Sequence, residues 1–184
     1  YVNIIENNNA LLLQLISDIL DLAKIEAGTL EFIYNDVDIN LLLDEVEQIT
    51  QLKIDSSRVS FSFVERLSEC IIHTERNRLL QVINNFISNA IKFTKENGKI
   101  SIQLMDTEDT ATVKITDNGI GMKPESLNHI FDKFYRVPTG NLHDVKGYGL
   151  GLYYVRTMIE KHGGTVSVES EPGHGSIFTL VINE

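Results

Sequence analysis

The sequence is poor in residues that mark several large classes of protein. Of its 184 residues, one is cysteine, three are proline and none is tryptophan. The single cysteine, Cys70, excludes an internal disulfide, and its strand-like surroundings indicate a buried, inert thiol. No stretch approaches the roughly 20 apolar residues of a membrane span, and the N-terminus lacks a charged and then apolar signal. We therefore expect a soluble, cytoplasmic chain without membrane contact.

Basic residues are scarce relative to acidic ones. The 16 Lys and Arg residues face 26 Asp and Glu residues, which gives a formal net charge of -10. A general nucleic-acid binder needs a basic surface, so we predict no nucleic-acid partner. An anionic ligand would need a local pocket of backbone dipoles and a few cations, with or without a metal ion, because the overall field repels it.

The apolar pattern divides the chain into residues 1–29 and 30–184. The first part predicts a long helix that stops near Gly28. Its apolar residues at three-four spacing are Ile5, Leu12, Leu15, Ile19 and Leu22. Such a helix needs partners, and we favour self-association over packing on its own domain, because residues 30–184 already supply a complete set of elements.

The second part predicts an α+β sandwich, with one mixed or antiparallel sheet and helices on one face. TLEFIYNDVDI alternates like a strand, and DINLLLDEVEQITQLKI is typical of a helix with Asp38 or Asn40 near its cap. RVSFSFVE and ECIIH suggest paired strands, and TERNRLLQVINNFISNAIKFT has the best helical pattern. GKISIQLM and ATVKITDNG are alternating strands, the next helix ends at Lys161, and TVSVES with SIFTLVIN forms a hairpin.

Three polar side chains share one face of the helix within TERNRLLQVINNFISNAIKFT. Asn85 and Asn89 are four residues apart, and Lys92 follows on the next turn. Asparagine is rarely buried, so two beside an apolar stripe need hydrogen-bonding partners or a ligand. Their amide oxygens suit Mg²⁺ shared with substrate phosphates. Alternatively, both asparagines cap neighbouring loops.

Two glycine-containing segments suggest a nucleotide. In ITDNGIGM, Asp117 at a strand end either begins an ordinary turn or accepts a hydrogen bond from the adenine amine. In KGYGLGLYYV, three glycines open a helix, which either forms a simple tight turn or directs backbone N–H groups at phosphates.

The segment FDKFYRVPTGNLHDVKG lies between these two motifs. It places Lys133 and Arg136 among Phe131 and Phe134, and then loses all periodicity. This pattern is typical of a mobile lid with an aromatic anchor, and equally of an ordinary surface loop.

In order, NNFISNAIKF, DNGIGM, FDKFYRV, GYGLGL and EPGHGSIF resemble the N, G1, F, G2 and G3 boxes of the ATP-binding catalytic domain of sensor histidine kinases. LLLQLISDILDLAKIEAG resembles the second helix of that family's dimerisation and phosphotransfer bundle. The resemblance implies a Bergerat-type α/β sandwich that binds Mg-ATP under a lid, in a protein of bacterial type. It also implies the boundary between a partial bundle helix, 1–29, and the catalytic domain, 30–184.

The resemblance also assigns roles to residues. Asn89 would be the main Mg²⁺ ligand with Asn85 assisting, and Lys92 would meet the phosphates. Asp117 would hold the adenine amine, with Gly119 and Gly121 shaping the base pocket, and Arg136 or Lys133 would reach the γ-phosphate. Asn85, Lys92 and Arg136 would thus serve catalysis. The remaining binding residues would be Phe93, Gly147, Tyr148, Gly149, Leu150, Gly151, Gly173, Gly175 and Thr179.

Members of this family transfer the γ-phosphoryl group of ATP to a histidine, and from there to an aspartate of a response-regulator receiver domain. None of the five histidines here, at positions 73, 129, 143, 162 and 174, matches the acceptor motif. We therefore expect a fragment of a longer, membrane-anchored kinase that forms a homodimer through the N-terminal helix. Tyr148 also departs from the family, which more often has a small hydroxyl residue there.

Three other functions compete with this interpretation. Gyrase-type and chaperone ATPases use a catalytic glutamate where this chain has Asn85, which disfavours hydrolysis as the main activity. Serine kinases of the anti-sigma-factor type are disfavoured by the Phe131 and Phe134 segment. A catalytically inactive kinase-like module that signals through its helix is the main alternative, and the intact set of Asn85, Asn89 and Asp117 argues against it.

Overall fold

The computed structural model describes residues 2–54, 59–65, 70–107, 110–137 and 147–183. Across these residues the helices are α1 (Val2–Glu26), α2 (Ile39–Ile54), α3 (Arg76–Phe93), α4 (Pro124–Leu127) and α5 (Gly151–Lys161). The strands are β1 (Asn35–Asp38), β2 (Ser60–Glu65), β3 (Ile71–Thr74), β4 (Lys99–Asp106), β5 (Thr110–Asp117), β6 (Thr165–Glu171) and β7 (Gly175–Asn183).

A mixed five-stranded sheet carries the core, with strand order β2-β4-β5-β7-β6. Strand β2 is parallel to β4, and the other neighbouring pairs are antiparallel. Every second side chain of β4 and β5 is buried, so one face of the sheet packs against helices. Across this layer, the rings of Phe86 on α3 and Phe178 on β7 lie 4.9 Å apart. The predicted two-layer α/β sandwich is confirmed, including the β6–β7 hairpin.

Helix α3 forms where the sequence pattern is strongest. The Glu75 carboxylate caps it by accepting the backbone N–H groups of Asn77 and Arg78, at 3.3 and 3.1 Å. Its buried residues are Leu79, Val82, Ile83, Phe86, Ile87 and Ala90. All six belong to the predicted apolar face, so Asn85 and Asn89 lie at the border of that face. Helix α2 likewise begins after Asp38, whose carboxylate accepts the N–H of Asn40 at 2.9 Å.

The predicted pairing of RVSFSFVE with ECIIH is wrong. Both segments contain strands, but β2 joins the large sheet beside β4, whereas β3 pairs with β1 in a separate two-stranded sheet. A parallel pair needs a long crossover connection, and the segment that contains α3 supplies it between β2 and β4. The expectation of one sheet is therefore corrected to one large sheet and one small one.

Strand β1 is shorter than the alternation of TLEFIYNDVDI predicts. Its ladder with β3 has four residue pairs and ends at Asn35 opposite Thr74. The preceding aromatic side chains pack around the end of α5 instead: the rings of Phe32 and Tyr34 lie 4.8 and 5.5 Å from the His162 ring. Contacts with a distant helix end thus replace strand pairing here.

Helix α1 ends as predicted, because Gly28 adopts a left-handed φ of 68° and the N–H of Thr29 donates to the carbonyl of Lys24 at 2.8 Å. Near its C-terminal end, Asp18, Asp21 and Leu22 are buried. Exposed on another face are Leu12, Leu13, Ile16, Ile19 and Leu20. One face therefore packs on the helix's own domain, the less favoured alternative, while self-association through the exposed face stays a prediction.

Candidate nucleotide-binding site

A cavity of about 270 Å³ opens among α3, the end of β5, the start of α5 and α1. Small-molecule sites begin at roughly this size, about 300 Å³. Most of the residues predicted from sequence line it: Asn85, Asn89, Lys92, Phe93, Asp117, Gly121, Arg136, Gly147, Tyr148, Gly149, Leu150 and Gly151. The tertiary structure thus brings segments from four separate motifs to one place.

Asp117 provides a buried carboxylate at the end of β5. The residue is 6% exposed, and its Oδ1 accepts the backbone N–H of Gly119 at 2.8 Å. Burial raises the pKa of Asp117 above its usual range, and backbone N–H donation from Gly119 and Ser176 opposes part of this rise. The carboxylate is therefore held in one orientation at the cavity wall, where it can accept a hydrogen bond from a ligand.

The glycines around Asp117 are required by close backbone approach. A methyl group on Gly121, which has a φ of 62°, would lie 1.9 Å from the carbonyl oxygen of Glu171. A methyl group on Gly175 would lie 1.9 Å from the carbonyl oxygen of Asp117 itself. Gly119 and Gly175 do not line the cavity, but Gly119 lets the loop approach the Phe93 carbonyl at the end of α3, and Gly175 lets the closing hairpin meet the end of β5.

Asn85 and Asn89 present amide groups from α3 into the cavity. The Nδ2 of Asn85 donates to the carbonyl of Gln81 at 3.1 Å, so its Oδ1 points toward Gly151. A methyl group on Gly151 would lie 2.9 Å from that oxygen. An amide oxygen oriented in this way fits the hard, oxygen-seeking Mg²⁺, which is commonly held by a few protein oxygens together with waters and phosphates.

Two cationic side chains face the same space. Burial lowers the pKa of Lys92, and repulsion by the Arg136 guanidinium lowers it further. A methyl group on Gly147 would lie 3.7 Å from the Lys92 ammonium, so this glycine approaches the cation closely. Two like charges placed near each other favour a polyanionic ligand, which would relieve their repulsion.

The glycine loop enters α5 directly. Gly149 has a φ of 71°, and a methyl group there would lie 2.6 Å from the carbonyl oxygen of Tyr135. Its own carbonyl accepts the N–H of Phe134 at 2.9 Å, which ties the loop to the preceding segment. Leu150 precedes the helix without a side-chain cap. The N–H groups of the first turn therefore have no capping side chain and suit a phosphate.

Some predicted residues lie elsewhere. Lys133 donates to the Glu26 carboxylate of α1 at 3.0 Å and lies 5.7 Å from the Tyr153 ring centroid, and it does not line the cavity. Gly173 supports the cavity indirectly, since its N–H donates to the Ile120 carbonyl at 2.8 Å. Thr179 is paired within β7 and also lies outside the lining.

The predicted lid is described only in part, because residues 138–146, including His143, lie outside the described residues. Of its two expected aromatic anchors, Phe131 packs against the core, whereas Phe134 is 63% exposed. The other four histidines do not line the cavity. Three of them pair with neighbouring carboxylates, and His162 contacts the Met158 carbonyl at 2.7 Å.

Sequence reasoning missed several lining residues. Most of the missed side chains flank the predicted motifs: Ser88, Ala90, Ile120, Met122, Ile130, Tyr135, Val137, Leu152, Ser176 and Phe178. Their neighbours in sequence were a usable signal. Leu15 and Asp18 come from α1, however, and no local pattern in that helix indicates a contact with a distant cavity.

Comparison with known proteins agrees with this geometry. Residues 74–184 match the family described as histidine kinase-, DNA gyrase B- and HSP90-like ATPases. The chain is 36% identical over 188 residues to hybrid signal transduction histidine kinase B of Dictyostelium discoideum, covering 99% of this chain and 10% of that protein. It is 34% identical over 182 residues to sensor histidine kinase RcsC of Escherichia coli (strain K12), covering 98% of this chain and 19% of that protein.

A solved structure has the same fold. Histidine kinase ThkA, in a crystal structure with response regulator protein TrrA, aligns with a TM-score of 0.76 and 28% identity, over 100% of this chain and 50% of that one. Within the described residues, no helix combines the length and the hydropathy that crossing a bilayer requires.

The chain spans less than a fifth of the length of kinase B of Dictyostelium and of RcsC of Escherichia coli. They come from both Dictyostelium and Escherichia, so the bacterial source stays a prediction. The family match covers more than half of the residues. The chain therefore belongs to the family of histidine kinase-, DNA gyrase B- and HSP90-like ATPases, and it carries the ATP-binding catalytic domain of a sensor histidine kinase.

Proposed function

We propose that this chain binds Mg-ATP and transfers the γ-phosphoryl group to an acceptor histidine, for onward transfer to an aspartate of a response-regulator receiver domain. The observation that carries the proposal is that one cavity combines a buried carboxylate, two amide side chains, two cations and a glycine-rich helix start. Each of these groups is suited to bind one part of a nucleotide.

The adenine base binds at Asp117 in this proposal. A carboxylate accepts a hydrogen bond from the exocyclic amine of adenine, whereas guanine would present a carbonyl oxygen to it, and two acceptors repel. The 6% exposure of Asp117 strengthens this discrimination, because a buried polar group left without a partner is costly. Gly121 lines the cavity and leaves room for the base, and Gly119 supports the loop beside the carboxylate.

The phosphates bind between α3 and the start of α5. Asn89, assisted by Asn85, would hold Mg²⁺, which neutralises charge on the phosphates when it is bound. Lys92 and Arg136 add positive charge, and Gly147, Gly149 and Gly151 let backbone N–H groups approach. Of the two cations left open as γ-phosphate contacts, we assign Arg136, because it lines the cavity while Lys133 pairs with Glu26.

Phosphoryl transfer requires mainly alignment and charge neutralisation, and these residues supply both. The helix of gyrase-type ATPases carries a glutamate at the position of Asn85, and an amide cannot accept a proton from water. This difference favours transfer to a histidine over hydrolysis. We propose that the acceptor is not one of this chain's five histidines, because none matches the acceptor motif.

The partners follow from the same assignment. We propose that residues 1–29 belong to a dimerisation bundle and residues 30–184 to the catalytic domain, and that two copies associate in the cytoplasm through the exposed apolar face of α1, whose residues include Leu13 and Leu20. The receiver partner is supported by ThkA, which is seen in complex with a response regulator.

Calorimetric titration of ATP, with and without Mg²⁺, tests the site. We expect metal-dependent binding by the unaltered chain and loss of binding in Asp117→Ala. Asp106→Ala is the matched control, since Asp106 ends the neighbouring strand β4 and is exposed. Unchanged affinity in Asp117→Ala would overturn the base assignment, and no binding by the unaltered chain would favour an inactive interaction module.

A further inference from the structure

Helix α1 forms part of the wall of the nucleotide cavity. Leu15 and Asp18 line it together with Asn85 of α3. Asp18 and Asp21 are each 5% exposed, although aspartate is almost never buried unless it is paired. The burial of these two carboxylates of α1 therefore requires specific partners.

Side chains of α3 hold both carboxylates. The Nε2 of Gln81 donates to Oδ1 of Asp18 at 2.8 Å. Arg78 donates through Nη1 and Nη2 to the two oxygens of Asp21, with an Nη2 to Oδ1 distance of 3.0 Å. The Tyr154 hydroxyl of α5 donates to Oε1 of Gln81 at 2.7 Å. This network joins α1, α3 and α5, and it fixes Asp18 at the cavity wall.

The direction of α3 shows which end of the cavity Asp18 occupies. At the C-terminal end of α3, the Phe93 carbonyl accepts the N–H of Ile120, close to Asp117, at 3.1 Å. Asp18 instead bonds to Gln81, which precedes Phe93 by about 18 Å at 1.5 Å per residue. A nucleotide with its base at Asp117 extends past Asn85, so its terminal phosphate points toward Asp18.

We propose that Asp18 is a specificity-determining residue. With α1 packed in this position, the Asp18 carboxylate makes the nucleotide site favour ADP over ATP. The inference rests on the proposed function, since it uses the base position at Asp117. Lys92 and Arg136 attract both nucleotides, but the terminal phosphate of ATP lies nearest the Asp18 carboxylate, and two negative charges repel. Because Asp18 is buried, salt screens this repulsion less than it would at a surface.

The test compares ADP and ATP affinities by calorimetry in the presence of Mg²⁺. We expect Asp18→Asn to raise the affinity for ATP relative to ADP by about fivefold, which corresponds to roughly 1 kcal/mol of repulsion. Asp18→Glu keeps the charge and should keep the ratio of the unaltered chain. Asp21→Asn is the matched control, because it removes an equally buried charge of α1 that does not line the cavity.

The outcomes separate this inference from the proposed function. An ATP to ADP ratio that is unchanged in Asp18→Asn, or shifted equally by Asp21→Asn, would overturn the role of Asp18 while leaving the nucleotide site intact. A fall in relative ATP affinity would also overturn it, since the carboxylate would then be attracting the metal-bound triphosphate. Failure of the unaltered chain to bind either nucleotide would overturn both.

Discussion

Replacing Asp117 by asparagine separates the charge of this side chain from its shape. The variant keeps an oxygen that can accept the N–H of Gly119, which donates to Asp117 at 2.8 Å. It removes the negative charge and puts an N–H₂ group in place of one carboxylate oxygen. An amide donor facing the adenine amine cannot form a hydrogen bond with it, since both groups are donors.

The size of the effect on binding follows from the acceptor that is lost. Hydrogen bonds to charged groups contribute about 1.5 to 3 kcal/mol. We therefore expect Asp117→Asn to weaken ATP binding by about 10- to 100-fold. The amide can instead donate to the guanine carbonyl, which should strengthen GTP binding. The ratio of ATP to GTP affinity should therefore fall by a larger factor than the ATP affinity itself.

The effect of Asp117→Asn on stability depends on pH. Burial raises the pKa of Asp117 in the folded chain, so the folded state holds this proton more tightly than the unfolded state does. The stability that this tighter proton binding contributes is fully present below the pKa of Asp117 in the unfolded chain. It is lost as the pH rises through the raised pKa of the folded chain. Relative to the unaltered chain, Asp117→Asn should therefore gain stability as the pH rises from acid to neutral.

Two measurements check this reasoning together. Calorimetric titration of ATP and GTP gives the affinities, and thermal unfolding at several pH values gives the difference in melting temperature between variant and unaltered chain. Asp106→Asn, at the exposed end of β4, should change neither. Retained ATP affinity in Asp117→Asn, or a variant that loses stability relative to the unaltered chain as the pH rises, would refute the account of Asp117 as a buried carboxylate that accepts the adenine amine.

Four further predictions concern the site and its supports. Gly121→Ala should lower the free energy of unfolding by at least about 2 kcal/mol, seen as a lower melting temperature, because a left-handed residue gains a side chain against a backbone carbonyl. Lys92→Met should weaken ATP binding about tenfold in calorimetry and spare adenosine, whereas Lys133→Met should change neither. Arg78→Met should cost about 2 to 4 kcal/mol in denaturant unfolding by leaving its buried carboxylate partner on α1 unpaired, while Arg156→Met, which breaks an exposed pair, should cost under about 0.5 kcal/mol. Incubated with γ-labelled ATP, the chain should not label itself, and stable acid-labile label would reveal an acceptor histidine within it.

The glycines and Asp117 were predictable because their chemistry is local. A left-handed φ at Gly121 or Gly149 is a property of one residue and its turn, and glycine is the residue type that adopts it readily. The buried face of α3 was predictable for a similar reason, since the spacing of its apolar residues repeats with the helix period. Asn85, Asn89 and Lys92 reached the cavity because they share a ridge of that helix.

Contacts between distant segments were not predictable in this way. The pairing of β2 with β4, and of β3 with β1, depends on which strands meet in space, and alternation alone is the same for every partner. The sequence alone does not distinguish Lys133 from Arg136. In the structure, Lys133 pairs with Glu26 of α1, whereas Arg136 lines the cavity.

By itself, the sequence determined the order of elements, the family and most of the residues that line the cavity, because periodicity, turn chemistry and motif spacing are encoded along the chain. Only the tertiary structure decided that α1 lies against the catalytic domain with Asp18 at the cavity wall. The physical reason is that a buried carboxylate is stable only beside its partners, and those partners lie on α3, far from α1 in the sequence.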